Sequence, residues 1–300
     1  MTYSEVFEHF GIPAQESIYR FAPVFRGVLD GREVVVKRTH AAEKMTRWLA
    51  HLAALDFPVR TPLTPWTRLG DASWVAYPWI QGREFAGTAA DLAAAGSLLG
   101  RLHTLPGAHL PEFVWPNPDA ASVAEDVEGL AKPLHAHRPE VAEAVMARIG
   151  PMLAGFTAAQ LPAIREAGLP TRDVTMDFKA ANLVYTADGP VLIDPDNGEH
   201  VPRLLDLALA VLLFHNDLDG GPGRVFTAEE WAVFRDAYLS HVELTDDERR
   251  LWPTALEYML LEWGTWAAIE AGPAGDWDDP RQAAFLTDLL TVDLGRFSLA

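Results

Sequence analysis

Four polar side chains define the chemistry open to this 300-residue chain: Lys37, Asp177, Asn182 and Asp194. Asn182 and Asp194 bring oxygen atoms to the two ends of a predicted hairpin. Magnesium takes such ligands, commonly one or two carboxylates completed by substrate phosphates. Asp177, five residues before Asn182, is then left to orient a hydroxyl and accept its proton. Lys37 closes the β-branched run Val34-Val35-Val36, so its ammonium projects from a rigid strand where it can pair with phosphates. Each feature alone has an ordinary structural reading. Asp and Asn at short spacing cap helices and turns, and a lysine at a strand end is usually solvated. Taken in order, strand lysine, Asp-x4-Asn, hairpin and Ile-Asp match phosphoryl transfer, in which positioning and charge neutralisation do most of the catalysis.

The elements that must position these groups lie on either side of them. Two β-branched runs, residues 24–29 and 33–37, flank Asp30-Gly31, a dipeptide suited to the positive φ angles of a tight hairpin turn. Residues 39–54 carry Met45, Trp48, Leu49 and Leu52 at helical spacing, which predicts a helix with one buried face. Residues 73–79 read as a further apolar strand, with a turn at Gln81-Gly82. From residue 89 onward the pattern predicts helices, interrupted by one hairpin at 182–196. There Leu183-Val184-Tyr185 and Val191-Leu192-Ile193 flank Ala187-Asp188-Gly189-Pro190. The predicted fold class is α+β. A small β-rich lobe covers residues 1–80, a connector lies at about 78–84, and a larger, mostly helical lobe carrying the hairpin covers 81–300.

Composition narrows the class further. The chain has no cysteine, which excludes a disulfide scaffold, a thiolate metal site and a cysteine nucleophile. A formal net charge of −18 argues against a nucleic-acid partner. No apolar run is long and unbroken enough to span a membrane, and Glu5 and Glu8 stand where a secretion signal carries positive charge. A cytoplasmic protein without a membrane partner is expected. His103, His135, His137, His200 and His215 lack metal-ligand spacing and read as structural or solvated.

The chain resembles the aminoglycoside phosphotransferase and choline kinase superfamily, relatives of the protein kinases. The matching stretches are Val34-Val35-Val36-Lys37, Ala95-Gly96-Ser97-Leu98-Leu99-Gly100-Arg101-Leu102-His103, Asp177-Phe178-Lys179-Ala180-Ala181-Asn182-Leu183-Val184 and Val191-Leu192-Ile193-Asp194-Pro195-Asp196. Leu205-Asp206-Leu207-Ala208 adds the segment commonly found after that block. The resemblance implies a bilobal protein-kinase-like fold. It also implies ATP (or GTP) at the lobe interface, Mg2+, and transfer of the γ-phosphoryl group to a small-molecule hydroxyl. The first lobe would bind nucleotide, and the second would carry the catalytic loop, metal site and acceptor site. Residue by residue, it implies Asp177 as catalytic base, Asn182 and Asp194 as metal ligands with Asp196 as a further contact, and Lys37 as the phosphate-binding lysine.

The match has departures. Thr175 stands where the family usually has a histidine two residues before the catalytic aspartate, which implies altered support for the loop. The first hairpin lacks a glycine-rich phosphate loop. Lys179 resembles the protein-kinase lysine that reaches the transferred phosphate; a solvated side chain is the other reading. Glu43 is the only acidic residue between Lys37 and Asp56, which makes it the candidate partner of Lys37 in nucleotide binding. On the helical wheel, however, it lies opposite the apolar stripe.

From residue 199 to the C-terminus, 19 acidic residues stand against 7 basic ones. A cleft lined by such carboxylates would concentrate cations such as aminoglycosides or amino alcohols. Asp246-Asp247-Glu248-Arg249-Arg250 reads instead as the start of a surface helix. Glu262-Trp263-Gly264-Thr265-Trp266 resembles a choline kinase segment whose aromatic faces hold a quaternary ammonium; a packed core pair is the other reading. The expected activity is ATP- and Mg2+-dependent phosphorylation of a small cationic molecule, an aminoglycoside-type antibiotic or another aminocyclitol. The alternatives are a choline, amino-alcohol or sugar kinase and, in another class, a non-catalytic nucleotide-binding pseudokinase. Nucleotide and a small-molecule acceptor are the expected partners.

Overall fold

The computed structural model describes residues 3–39, 41–107 and 110–299. It begins with helix α1 (Ser4–Phe10), strands β1 (Val24–Leu29) and β2 (Arg32–Thr39), helix α2 (Ala42–Ala54), and strands β3 (Thr67–Leu69) and β4 (Ala72–Pro78). Helices α3 (Ala89–Leu102), α4 (Ala120–His137), α5 (Pro139–Gly155) and α6 (Gln160–Arg165) follow. Next come strands β5 (Thr171–Val174), β6 (Leu183–Thr186), β7 (Gly189–Leu192) and β8 (Glu199–Pro202). Helices α7 (Arg203–Leu213), α8 (Ala228–Leu239), α9 (Asp246–Met259), α10 (Thr265–Ala274) and α11 (Pro280–Thr291) complete the order. The chain divides into two units: Met1–Phe85 with Asn182–Gly198, and Ala86–Ala181 with Glu199–Ala300.

The first unit is built on an antiparallel sheet of order β1-β2-β4-β3. At its first turn Asp30 and Gly31 both take positive φ (48° and 76°), as a two-residue hairpin of native twist requires. Strand alternation then separates two faces. Phe25, Val34, Val36, Trp74 and Ala76 share a core with Val6, Phe10 and Ile12. Lys37 and Tyr77, on neighbouring strands, project from the opposite face. Helix α2 buries Met45, Trp48, Leu49 and Leu52, the predicted stripe.

The hairpin β6–β7 packs in this first unit, although it was expected within the helical lobe. Its two edges are paired by backbone from the N-terminal segment. The Arg60 amide donates to Leu192, the Leu192 amide to Pro58, and Arg83 and Tyr185 exchange both bonds. Open strand edges seek such partners. Gly82 is required by the approach, since a Cβ there would lie 2.6 Å from a Val184 methyl.

The second unit is mostly helical, with a second exception that was not foreseen: β5 and β8 pair antiparallel, from Thr171 opposite Pro202 to Val174 opposite Glu199. Each strand is only four residues long, too short for alternation to declare itself. Helix α7 is buried along its whole length and apolar apart from Arg203 and Asp206. No helix among the described residues is long and apolar enough to cross a membrane.

Candidate active site

The chain leaving β5 sets the position of Asp177. Met176 takes a left-handed φ of 50°, uncommon without glycine, and turns the backbone just before it. One buried carboxylate holds that turn. Asp206 accepts from the Met176 amide at 2.7 Å and from the Thr175 hydroxyl at 3.1 Å, and that hydroxyl accepts from the Asp177 amide at 3.3 Å. His103 Nε2 lies 3.0 Å from the second Asp206 oxygen, and its Nδ1 lies 2.9 Å from the Tyr238 hydroxyl. A carboxylate only accepts, so Nε2 carries the proton towards Asp206 and Nδ1 faces the tyrosine. Burial pushes the Tyr238 hydroxyl up, which keeps it a donor. Thr175, His103, Asp206 and Tyr238 are all fully buried.

Thr175 therefore supports the loop through its hydroxyl. Asp206 was legible only as part of a matching segment, yet it carried a signal of its own. A lone acid in an otherwise apolar helix must be met by several donors if it is buried. Lys179, further along the loop, is not solvated. Its ammonium lies 3.2 Å from Asp177 and 2.8 Å from Asp217. Asp217 accepts from the Asn216 side chain at 3.0 Å, and Asn216 accepts from Gln282 at 2.7 Å. Neither Asp217 nor its supports stood out in the sequence.

In the first unit Lys37 is only 4% exposed. It donates to Asp194 and lies 3.4 Å from Asp196 Oδ2, so residues 157 positions apart meet as an ion cluster around a buried lysine. A lysine tolerates such burial only with carboxylates at hand. A second cation, Arg60, was not anticipated. Its guanidinium donates to the Ile193 carbonyl at 2.8 Å and sits 4.7 Å from the Tyr77 ring centroid, while its Nε is buried without a hydrogen-bond partner. The segment Phe57-Pro58-Val59 before it is apolar, and a charge following such a run was the available hint. The backbone around the acids is tied down as well. Ile193 N–H donates to the Asn182 carbonyl, and Lys44 donates to the Gly198 carbonyl.

These residues suit a divalent cation. Asp194, Asp196 and Asn182 offer hard oxygen donors. Burial pushes the Asp196 carboxyl up, the charge of Asp194 adds to the rise, and Lys37 opposes it. Asp196 Oδ1 is buried without a hydrogen-bond partner. Among the described residues no group of three or more His, Asp or Glu could by itself hold a metal ion. Magnesium commonly takes only one or two carboxylates, with phosphate and water oxygens completing its shell.

The expected pairing of Glu43 with Lys37 is corrected. Glu43 is three-quarters exposed and faces Arg47 at 3.9 Å, while Lys37 has Asp194 and Asp196. The face of α2 that buries Met45, Trp48, Leu49 and Leu52 carries Glu43 away from the sheet, and the next residue, Lys44, reaches the acidic turn instead. Glu248 is corrected too: it is fully buried against Arg203 at 2.8 Å, not a surface charge. Trp263 and Trp266 do meet, with ring centroids 5.9 Å apart at 68°. Trp266 is 54% exposed, so the pair is not sealed in a core. Glu262 stands in a π-helical turn over Leu260–Gly264, and its carboxyl is pushed up to about 6 by burial and then by Asp126.

An antiparallel sheet carrying a buried lysine in the first unit, and a mostly helical second unit carrying Asp177, are features of a kinase-like small-molecule phosphotransferase. The chain belongs to the phosphotransferase enzyme family, whose model matches residues 19–253. No curated protein matches it in sequence. Among solved structures it is similar to a microcompartment-associated aminopropanol kinase (15% identity, TM-score 0.59, covering 94% of this chain and 97% of that one). It is also similar to an AMP-bound spectinomycin phosphotransferase (13%, 0.60, covering 98% and 99%). A third is the choline kinase LicA from Streptococcus pneumoniae (15%, 0.53, covering 97% and 98%). At these identities the likeness is one of fold.

Proposed function

We propose that the chain transfers the γ-phosphoryl group of ATP to a hydroxyl of a small cationic molecule, an aminocyclitol of the aminoglycoside type or an amino alcohol. The acceptor oxygen bonds to the γ-phosphorus, the bond from that phosphorus to the β–γ bridging oxygen breaks, and ADP leaves. The acceptor proton passes to the Asp177 carboxylate. Lys37 pairs with nucleotide phosphates, and Lys179 meets the group in transfer. Asn182, Asp194 and Asp196 would hold Mg2+, which when bound neutralises charge on phosphate oxygens. Glu262, Trp263 and Trp266 receive the positive charge of the acceptor.

The observation that carries this reading is the support of Asp177. A buried carboxylate, a threonine and a histidine are all committed to the turn that presents Asp177, which supports its reading as the proton acceptor. The relatives named for aminopropanol, spectinomycin and choline support a nitrogen-bearing acceptor. A phosphate-transfer screen against aminocyclitols, amino alcohols and neutral sugars identifies the acceptor. Asp177→Ala is then expected to lower kcat by roughly 10²- to 10⁴-fold while calorimetric nucleotide affinity holds. Equal turnover in the variant overturns the assignment.

A further inference from the structure

The Lys179 ammonium stands between two carboxylates, Asp177 at 3.2 Å and Asp217 at 2.8 Å, and its side chain is only 13% exposed. Asp217 reaches it from outside the loop that carries Asp177, from the turn that follows α7. That turn is fastened to the loop at three consecutive residues. The Phe178 and Phe214 rings lie 6.4 Å apart, the Lys179 ammonium meets Asp217, and the Ala180 amide donates to the Phe214 carbonyl at 2.8 Å. Asp217 itself takes a left-handed φ of 53°, uncommon without glycine. Its Oδ2, the oxygen that meets the ammonium, also accepts from the Asn216 side chain at 3.0 Å. Gln282 on α11 donates to Asn216 at 2.7 Å, and both amides are buried. An unusual backbone conformation persists where surrounding contacts fix it. Here those contacts fix one carboxylate oxygen beside Lys179.

An ammonium with Asp177 as its main counter-charge would settle on that carboxylate. The ion pair would then occupy the oxygen that has to take the hydroxyl proton, and a close cation makes a carboxylate a weaker base. A second, fixed acid that lies nearer changes the balance. With three N–H groups, the ammonium can stay on Asp217 while exchanging Asp177 for a phosphate oxygen. We infer that Asp217 is a positioning residue: it retains Lys179, so that the lysine passes from Asp177 to the group in transfer and leaves the base able to accept its proton. The inference rests on the proposed roles of Asp177 and Lys179.

Two measurements test it, one of them independent of turnover. An amine acetylates only when unprotonated, and a neighbouring carboxylate holds the proton on. Acetylation of the full chain, read at Lys179 by peptide mass spectrometry, therefore reports how firmly each acid holds the ammonium. Asp217→Asn, which keeps an accepting oxygen for Asn216, should raise the Lys179 rate about tenfold. Asp177→Asn should raise it less. A larger rise in Asp177→Asn, or an unchanged rate in Asp217→Asn, overturns the inference. The second measurement is kinetic, with an acceptor from the phosphate-transfer screen. Asp217→Asn should lower kcat about tenfold at an unchanged nucleotide KM, and in a Lys179→Met background the same replacement should cost less than about twofold. An equal loss in both backgrounds assigns Asp217 to the fold and overturns its role. The two readings fail separately. No transfer to any acceptor, with acetylation as expected, removes the kinase reading and leaves Asp217 as the holder of Lys179. Full transfer with an unchanged acetylation rate does the reverse.

Discussion

Two polar clusters of this chain are built on opposite principles. Around Asp206 both carboxylate oxygens are met, every partner is fully buried, and the donors are two backbone amides, a hydroxyl and an imidazole. Around Lys37, two cations face two acids, yet Asp196 Oδ1 and Arg60 Nε are buried without a hydrogen-bond partner. A satisfied network fixes geometry and has no further capacity. A charge-balanced but under-bonded one has capacity for a ligand. On the proposed reading the first cluster positions Asp177 and the second binds the nucleotide.

Removing the centre of the satisfied cluster should have the largest effect. Asp206→Ala strands the Met176 amide, the Thr175 hydroxyl and His103 in the interior. A loss of about 3–5 kcal/mol is expected in urea denaturation. Asp206→Asn keeps the shape and should fold, but it offers one accepting oxygen in place of two. Its kcat should fall roughly a hundredfold while the KM for nucleotide stays. A nucleotide KM that rises with kcat unchanged would dissolve the distinction between the two clusters.

The under-bonded cluster should respond in binding. Lys37→Met removes the cation that both acids share, and a double-mutant cycle with Asp194→Asn should return a coupling of about 2 kcal/mol. Its activity defect should appear mainly as a raised KM for nucleotide. Arg60→Met, which frees the Ile193 carbonyl and the Tyr77 face, is expected to raise that KM about tenfold, close to 1.4 kcal/mol. Arg60→Lys should recover part of the charge but not the tether. Full recovery by lysine would show that Arg60 acts by charge alone.

The same contrast decides what was legible in the sequence. The Asp30-Gly31 turn and the Met45–Leu52 stripe are set by local backbone preference and periodicity and stand as read, while the strand carrying Lys37 runs two residues further than read, to Thr39. Asp177 and Asn182 are nominated by a short spacing, and Asp194 by its place at the far end of the hairpin. Arg60, Asp217 and Asp206 were not singled out, since each acts on a motif residue from a distant part of the chain. The hairpin's place in the first unit and the β5–β8 pair escaped for the same reason: edge pairing is a tertiary choice that neither strand encodes. Glu43 failed differently. It was nominated by elimination among acids, while the helical wheel already placed it on the wrong face.

The smallest predicted effect separates Glu262 from both clusters, because burial and a second carboxyl act on its charge. Burial, then the charge of Asp126 on α4, raises it to about 6, and Tyr258 is the other titratable group beside it. An acid whose folded value is raised binds its proton more readily when folded, so this group's contribution favours folding at low pH. That contribution declines by about 2 kcal/mol as pH rises from the ordinary glutamate range through 6. Acceptor affinity should run the other way, because only the ionised carboxylate holds a cation. At pH 6 half the sites are protonated, so the KM for a cationic acceptor should be about twice its value at pH 8. Glu262→Gln should abolish both slopes together. If the stability slope vanishes in that variant while the KM slope persists, the titrating group that meets the acceptor is another one, and Asp126 is the next to replace.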